Sequence, residues 1–184
     1  MSFVNDVNLE NIGNYVEAIK EDNGLAKVKF VARSKWTGGT NCEISMNEFY
    51  VNGQVGSSEG RNFTLNCSEP GALGGADNAP NPVELLASAL CGCLNAAIVT
   101  NSALFGNQIE KLEIETSVDF DLMGIFGLDR SVTNGATGVH YKVKIKGANK
   151  EASLKSKETI DKKSGVKNTL LLPITVTTEV EIED

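Results

Sequence analysis

One stretch constrains this chain more than any other: residues 81–106, N-P-V-E-L-L-A-S-A-L-C-G-C-L-N-A-A-I-V-T-N-S-A-L-F-G, which read as a single long helix. Asn81 is a good N-cap, Pro82 fits the first turn, where no amide partner is needed, and Glu84 lies near the positive end of the helix dipole. Gly106 supplies the stop. Val83, Leu86, Leu90, Cys93, Leu94, Ala97 and Ile98 recur at helical spacing, while Leu85, Ala89, Ala96 and Val99 fill much of the remaining circumference. A helix apolar nearly all round is expected to be buried. At the usual rise it is about 38 Å long, enough to cross a small domain or to extend into a second subunit. The run approaches bilayer length, but Glu84, Ser88, Asn95, Thr100 and Asn101 interrupt it and no basic anchor flanks it, so no membrane span is expected.

Cys91 and Cys93 lie at the middle of this helix. Two positions apart on a helix means about 200° of rotation, so the two thiols diverge and cannot bridge each other without unwinding. The C-x-C pair is therefore not a C-x-x-C redox motif. By residue type alone both are small buried hydrophobes; one of them can be functional while the other packs.

The chain has 184 residues, of which 41% are hydrophobic, suiting one globular domain with or without an appendage. Four irregularly spaced cysteines, and a start without a basic head or apolar core, predict a reduced, cytoplasmic setting. A net charge of −7 argues against nucleic acid as a partner. The lysines between Lys142 and Lys167 are interleaved with Glu151, Glu158 and Asp161, and read as a solvated face.

Ahead of the long helix, residues 1–25 read as an amphipathic helical extension, with Val7, Leu9, Ile12, Tyr15, Val16 and Ile19 near helical spacing and a stop at Asn23-Gly24. Its expected role is to cover a sheet edge or a core opening. Strands are expected over Ala26–Ser34, through Cys42, Ile44 and Met46, and through Phe63, Leu65 and Cys67, forming an antiparallel meander with a bend from Asn52 to Gly60. Cys42 and Cys67, on strands, read as structural. The loop Ser68–Pro80 has neither a Walker lysine nor G-x-G-x-x-G, so no nucleotide is expected.

Beyond the helix, strands are expected over Ile109–Phe120 and Gly138–Lys146, the second with His140 outward and Val139, Tyr141, Val143 and Ile145 inward. The only histidine thus faces solvent, which removes the commonest partner for a zinc site or a Cys-His pair. No metal or cofactor is expected. A charged helix over 150–163, ended by Ser164-Gly165, and a last strand over Thr169–Ile182 complete the chain.

Several stretches in this order resemble the osmotically inducible protein C and organic hydroperoxide resistance (OsmC/Ohr) family: L-G-G-A-D-N-A-P, N-P-V-E-L-L-A-S-A-L-C-G-C, F-D-L-M-G-I-F-G-L-D and S-G-V-K-N-T-L-L-L-P-I-T-V. With the strand pattern before them they span most of residues 26–182, which makes residues 26–184 the OsmC-like domain. The resemblance implies an α+β fold in which antiparallel sheets wrap around long central helices in an interlocked homodimer. It also implies reduction of organic hydroperoxides by a cysteine on the central helix, with a second cysteine on a later helix closing a disulfide.

By the same resemblance Cys93 holds the peroxidatic position and Cys91 is an extra, possible second thiol. The family's second cysteine falls at Ser164, its helix-start glutamate at Val83, with Glu84 one residue later, and the arginine after its paired glycines at Thr40. A free thiol is only about 3% ionised at pH 7 unless a cation assists, and the helix dipole fades within a turn of the helix start. Of Arg33, Arg61 and Arg130, Arg33 on the strand before the glycine turn is the preferred donor. The expected activity is therefore a one-cysteine, thiol-dependent reduction of organic hydroperoxides, restored by an external thiol reductant. The rival reading is a catalytically degenerate protein of the same fold that binds a small hydrophobic molecule at its dimer interface; a stable dimer with an unknown partner is the third.

Overall fold

The computed structural model describes residues 3–182. Strands β1 (Phe3–Val4) and β2 (Val7–Asn8) form a minimal hairpin, and Asn8 then caps helix α1 (Leu9–Glu21) by accepting from the Asn11 amide. A 3-10 turn over Asn23–Ala26 leads into β3 (Val28–Phe30), β4 (Arg33–Gly38), β5 (Asn41–Met46), β6 (Phe49–Val51), β7 (Gln54–Val55) and β8 (Phe63–Cys67). After a loop come α2 (Pro82–Leu104), β9 (Ile109–Asp119), α3 (Leu122–Ile125), β10 (Gly138–Gly147), α4 (Lys150–Lys163) and α5 (Gly165–Leu171).

The expected first strand over Ala26–Ser34 is in fact two strands in different sheets. Val28–Phe30 joins β6 and β7 in one antiparallel sheet, while Arg33–Gly38 joins β5 and β8 in another, with order β4-β5-β8. The expected bend after Asn52 is a hairpin turn: Asn52 and Gly53 both have positive φ, 49° and 77°, the conformation that a two-residue turn between twisted strands requires. β9 and β10 pair in register from Asp119–Gly138 down to Lys111–Lys146, with a shift before Gly147.

The capping box on α2 is formed in full. Asn81 Oδ1 accepts from the amides of Val83 and Glu84 at 2.9 Å each, and the Glu84 carboxylate accepts from the Asn81 amide at 2.8 Å. Leu90, Leu94 and Ile98, one turn apart, make the buried stripe of α2, and with Ile160 of α4 they form the core. Leu112, Ile114, Tyr141, Val143 and Ile145 of the β9–β10 hairpin and Val166 of α5 pack against them. Further along, the α2–α4 seam is polar and fully buried: Ser102 Oγ donates to Ser156 Oγ at 3.0 Å, and Asn107 Nδ2 to Ser153 Oγ at 3.0 Å. Small serines let the two helices approach closely while each hydroxyl keeps a partner.

Three expectations are corrected. The helix α2 is not buried all round: its buried residues are Leu90, Leu94, Ile98, Ser102 and Ala103, while Ala89 and Ala96 on the opposite side are exposed. By length and composition it is also the one helix of the described residues that is long and apolar enough to cross a bilayer. The helix α1 covers no core opening, since it has no buried residue; Tyr15 and Val16 remain exposed, and Tyr15 Oη donates to the Leu25 carbonyl. Finally, residues 172–182 form no strand. Ile174, Val176, Val180 and Ile182 keep their alternation but lie exposed, because a strand needs a hydrogen-bonding neighbour and none is offered within the chain.

These open faces add up. The solvent-accessible surface is 13214 Å², against roughly 8,600 Å² for a compact monomer of this mass.

Candidate functional site

The helical geometry sends the two central thiols to different neighbours. Cys91 turns toward the hairpin, where its Sγ donates to Thr116 Oγ1 at 3.1 Å and lies 3.8 Å from the Ile114 carbonyl. Cys93 turns toward the junction of α4 and α5, where its Sγ is 3.3 Å from Ser164 Oγ. Ser164 is buried, with 2% of its surface exposed, and it both ends α4 and caps α5 by accepting from the Lys167 amide at 3.3 Å. The expected correspondence between Cys93 and Ser164, 71 residues apart, is thus a side-chain contact in the fold. The neighbour that Cys93 meets there is a hydroxyl, not a thiol.

The other expected positions have ordinary local duties. Glu84 is committed to the capping box, and Val83 is half-buried in the first turn of α2. Thr40 Oγ1 accepts from the Glu69 amide at 3.4 Å, tying the glycine turn between β4 and β5 to the loop ahead of α2. In that loop Gly75 passes so close to Glu69 that an added Cβ would fall 1.7 Å from the Glu69 carbonyl oxygen; only glycine fits there.

Arg33 pairs with Glu48. Hydrogen bonds from Tyr50 and from Arg33 hold the Glu48 carboxyl below the usual carboxylate range, and Glu48 in turn raises the Arg33 guanidinium. Among the described residues no lysine or arginine side chain hydrogen-bonds Cys91 or Cys93, and no group of three or more His, Cys, Asp or Glu is placed to hold a metal ion. His140 is exposed on β10, as its position in the alternation implied, but Val139 is exposed as well.

A charged cluster beside the core was not visible in the sequence. Tyr141 Oη donates to Asp161 Oδ1 at 2.5 Å, Lys157 Nζ to Asp161 Oδ2 at 2.6 Å, and Lys167 Nζ to the Asp161 carbonyl. Burial first, then the bond to Asp161, pushes the Tyr141 phenol up to about 12. Burial opposes ionisation of Asp161, but the bonds from Lys157 and Tyr141 prevail and hold it below its ordinary value. The four residues come from β10, α4 and α5, and only the i, i+4 spacing of Lys157 and Asp161 was a local signal.

Next to this cluster an apolar cavity of about 290 Å³ opens, lined by Leu90, Thr137, Val139, Tyr141, Lys167 and Leu170 among others. Leu90 is one helical turn before Cys93, and Lys167 is in the first turn after Ser164. Neither Cys93 nor Ser164 lines the cavity, whose wall is apolar with one ammonium, Lys167, at its edge.

An α+β chain with a long capped helix against an antiparallel hairpin, and a cysteine at mid-helix facing the junction of two later helices, defines the class. Residues 74–179 match the family described as OsmC-like protein. The chain belongs to that family, the OsmC/Ohr family. Among solved structures it is similar to an OsmC-like protein from Mycoplasma pneumoniae, at 16% identity and a TM-score of 0.58, over 78% of this chain and 87% of the other. It is also similar to an organic hydroperoxide resistance protein OsmC from Legionella pneumophila, at 19% identity and a TM-score of 0.54, over 77% and 88% of the two chains. At those identities the likeness is one of fold. No curated protein matches the chain.

Proposed function

We propose that this chain is a thiol-dependent reductase of organic hydroperoxides that works with one peroxidatic cysteine, Cys93. The observation that carries the reading is the contact between Cys93 Sγ and Ser164 Oγ. It puts the mid-helix thiol at an inter-element site, yet gives it a hydroxyl neighbour that cannot resolve a sulfenic acid. The Cys93 thiolate attacks the terminal peroxide oxygen, the O–O bond breaks, and the alcohol leaves with a proton. An external thiol then displaces water from the sulfenic sulfur to give a mixed disulfide, and a second external thiol reduces that to Cys93 and a free disulfide. The apolar cavity favours an organic substituent over hydrogen peroxide. Cys91, held by Thr116, is the possible second thiol and has a packing role.

The working unit in this reading is a cytoplasmic homodimer. The excess surface, the uncovered side of α2 and the unpaired alternation of residues 172–182 support it, since each is an apolar or strand-forming face with no neighbour within the chain. Arg33 is the guanidinium we assign to the thiolate. Within one chain it is occupied by Glu48.

The cavity also favours a second reading, a catalytically inert protein of this fold that binds a small hydrophobic molecule. Treatment with cumene hydroperoxide in the presence of dimedone, followed by peptide mass spectrometry, separates the two. A sulfenic adduct on Cys93 that survives Cys91→Ser and disappears in Cys93→Ser is the expected result. If neither cysteine oxidises faster than a free thiol, the enzyme reading fails and the binding reading stands.

A further inference from the structure

Away from the central helix, the other two cysteines face each other. In the antiparallel pairing of β5 with β8, Cys42 is directly opposite Cys67, so both side chains lie on one face of the sheet. Opposed residues in such a ladder have Cα atoms about 4.5–5.5 Å apart, inside the range of about 4.4–6.8 Å that a disulfide spans. Neither is bonded; both are free thiols. Cys67 is buried, with 5% of its surface exposed, whereas Cys42 is half-buried. Both line a polar cavity of about 250 Å³, together with Thr37, Asn41, Asn66 and Asn78. Asn41 has a buried Oδ1 without a hydrogen-bond partner among the described residues, which marks the cavity wall as able to take a polar guest.

We infer that Cys42 and Cys67 are a second redox site, a dithiol that closes reversibly into a cross-strand disulfide when the chain meets a hydroperoxide. The roles of the two sulfurs follow from their surroundings. Burial, reinforced by the neighbouring Cys42 thiol, pushes the Cys67 thiol up, so the more accessible Cys42 meets the oxidant. Cys42 sulfur attacks the terminal oxygen of the peroxide, the O–O bond breaks, and the alcohol departs. Cys67 sulfur then attacks the sulfenic sulfur of Cys42, the S–S bond forms, the S–O bond breaks, and water leaves. Two thiols and one hydroperoxide give one disulfide, one alcohol and one water, with two electrons passing from sulfur to the peroxide oxygen. Exchange with an external thiol reopens the pair. Because the closed strand runs from Cys67 straight into Ser68, whose amide bonds the Pro80 carbonyl, the link lies at the root of the loop that leads to α2.

This site uses neither Cys91 nor Cys93, so it stands or falls separately from the central-helix chemistry. The test is the full chain carrying Cys91→Ser and Cys93→Ser, treated with cumene hydroperoxide, alkylated with N-ethylmaleimide and digested with a glutamate-specific protease. The expected result is joint loss of both remaining thiols, a mass lower by two hydrogens, a linked peptide pair holding Cys42 and Cys67, and full recovery on dithiothreitol. The wild-type chain is run alongside, and the same linked pair is expected there whether or not the substituted chain folds well. Two fully alkylated thiols in both proteins, oxidation confined to one sulfur, or a link formed only between chains would each overturn the inference.

Discussion

At the scale of single residues, the site turns on what one oxygen atom does in place of a sulfur. Ser164 Oγ meets Cys93 Sγ at 3.3 Å while also capping α5, so the hydroxyl keeps the local fold satisfied, and in the proposed function it leaves Cys93 without a second thiol. Ser164→Cys therefore places a second thiol against Cys93 with little change in volume. The expected outcome is a Cys93 disulfide to that position after one equivalent of cumene hydroperoxide, seen in nonreducing peptide maps, and loss of the dimedone adduct. A persistent adduct would show that the two positions do not approach closely enough to bond. Tyr141 carries a second residue-scale prediction. Its phenol is raised to about 12 from its ordinary 10.0, so the folded chain holds the proton more tightly than the unfolded one. The stabilisation is fully present below the unfolded value and is lost as pH rises through the folded one. Asp161 works in the opposite direction: its lowered value contributes stability above the unfolded carboxylate range, and that is lost in acid. Tyr141→Phe should cost about 1 kcal/mol near neutral pH and flatten the decline of stability in strong base, as read from urea unfolding across that pH range.

At the scale of elements, α2 owes its definition to signals within its own sequence. The Asn81-Pro82-x-Glu84 start forms every hydrogen bond of a capping box, and this is why its N-terminus was legible before any tertiary contact was known. Asn81→Ala should cost about 1 kcal/mol by releasing the Val83 and Glu84 amides, measured as a lower urea midpoint with unchanged slope. The strands β9 and β10 were legible for a similar reason, since over Leu112–Asp119 and Tyr141–Gly147 inward residues such as Ile114, Val143 and Ile145 alternate with outward ones. The run Ala26–Ser34 was not. Its pattern is continuous, but the chain switches sheets between Phe30 and Arg33, a change that depends on which strands lie alongside. The 172–182 tail shows the same limit from the other side: alternation records the capacity to be a strand, not the presence of a neighbour. Site residues followed the same rule. The divergence of Cys91 and Cys93 is helix geometry and could be read directly, whereas the cluster of Tyr141, Asp161, Lys157 and Lys167 gathers residues from three elements and could not.

At the scale of the whole molecule, the core is small for the chain that surrounds it. Four buried aliphatic side chains, Leu90, Leu94, Ile98 and Ile160, anchor it, while Phe30, Trp36, Phe126 and Leu128 stand in solvent. Obligate dimers commonly bury about 2,000–5,000 Å² or more summed over both partners, and the excess of this one chain over a compact monomer already reaches the upper part of that range. Light scattering on the purified chain should give twice the chain mass at all accessible concentrations; a monomer that unfolds cooperatively would contradict the dimer.

The central claim is that Cys93 is a reactive thiol rather than a packed one. Its most direct measurement is the second-order rate constant for oxidation of Cys93 by cumene hydroperoxide at pH 7, in a chain whose other cysteines are serine, compared with free cysteine. Full ionisation alone raises a thiol's reactivity about thirtyfold over the small thiolate fraction of an unassisted one. The account predicts a ratio at or above that figure, falling toward unity on Arg33→Ala. A ratio near unity in the unsubstituted Arg33 background would contradict it.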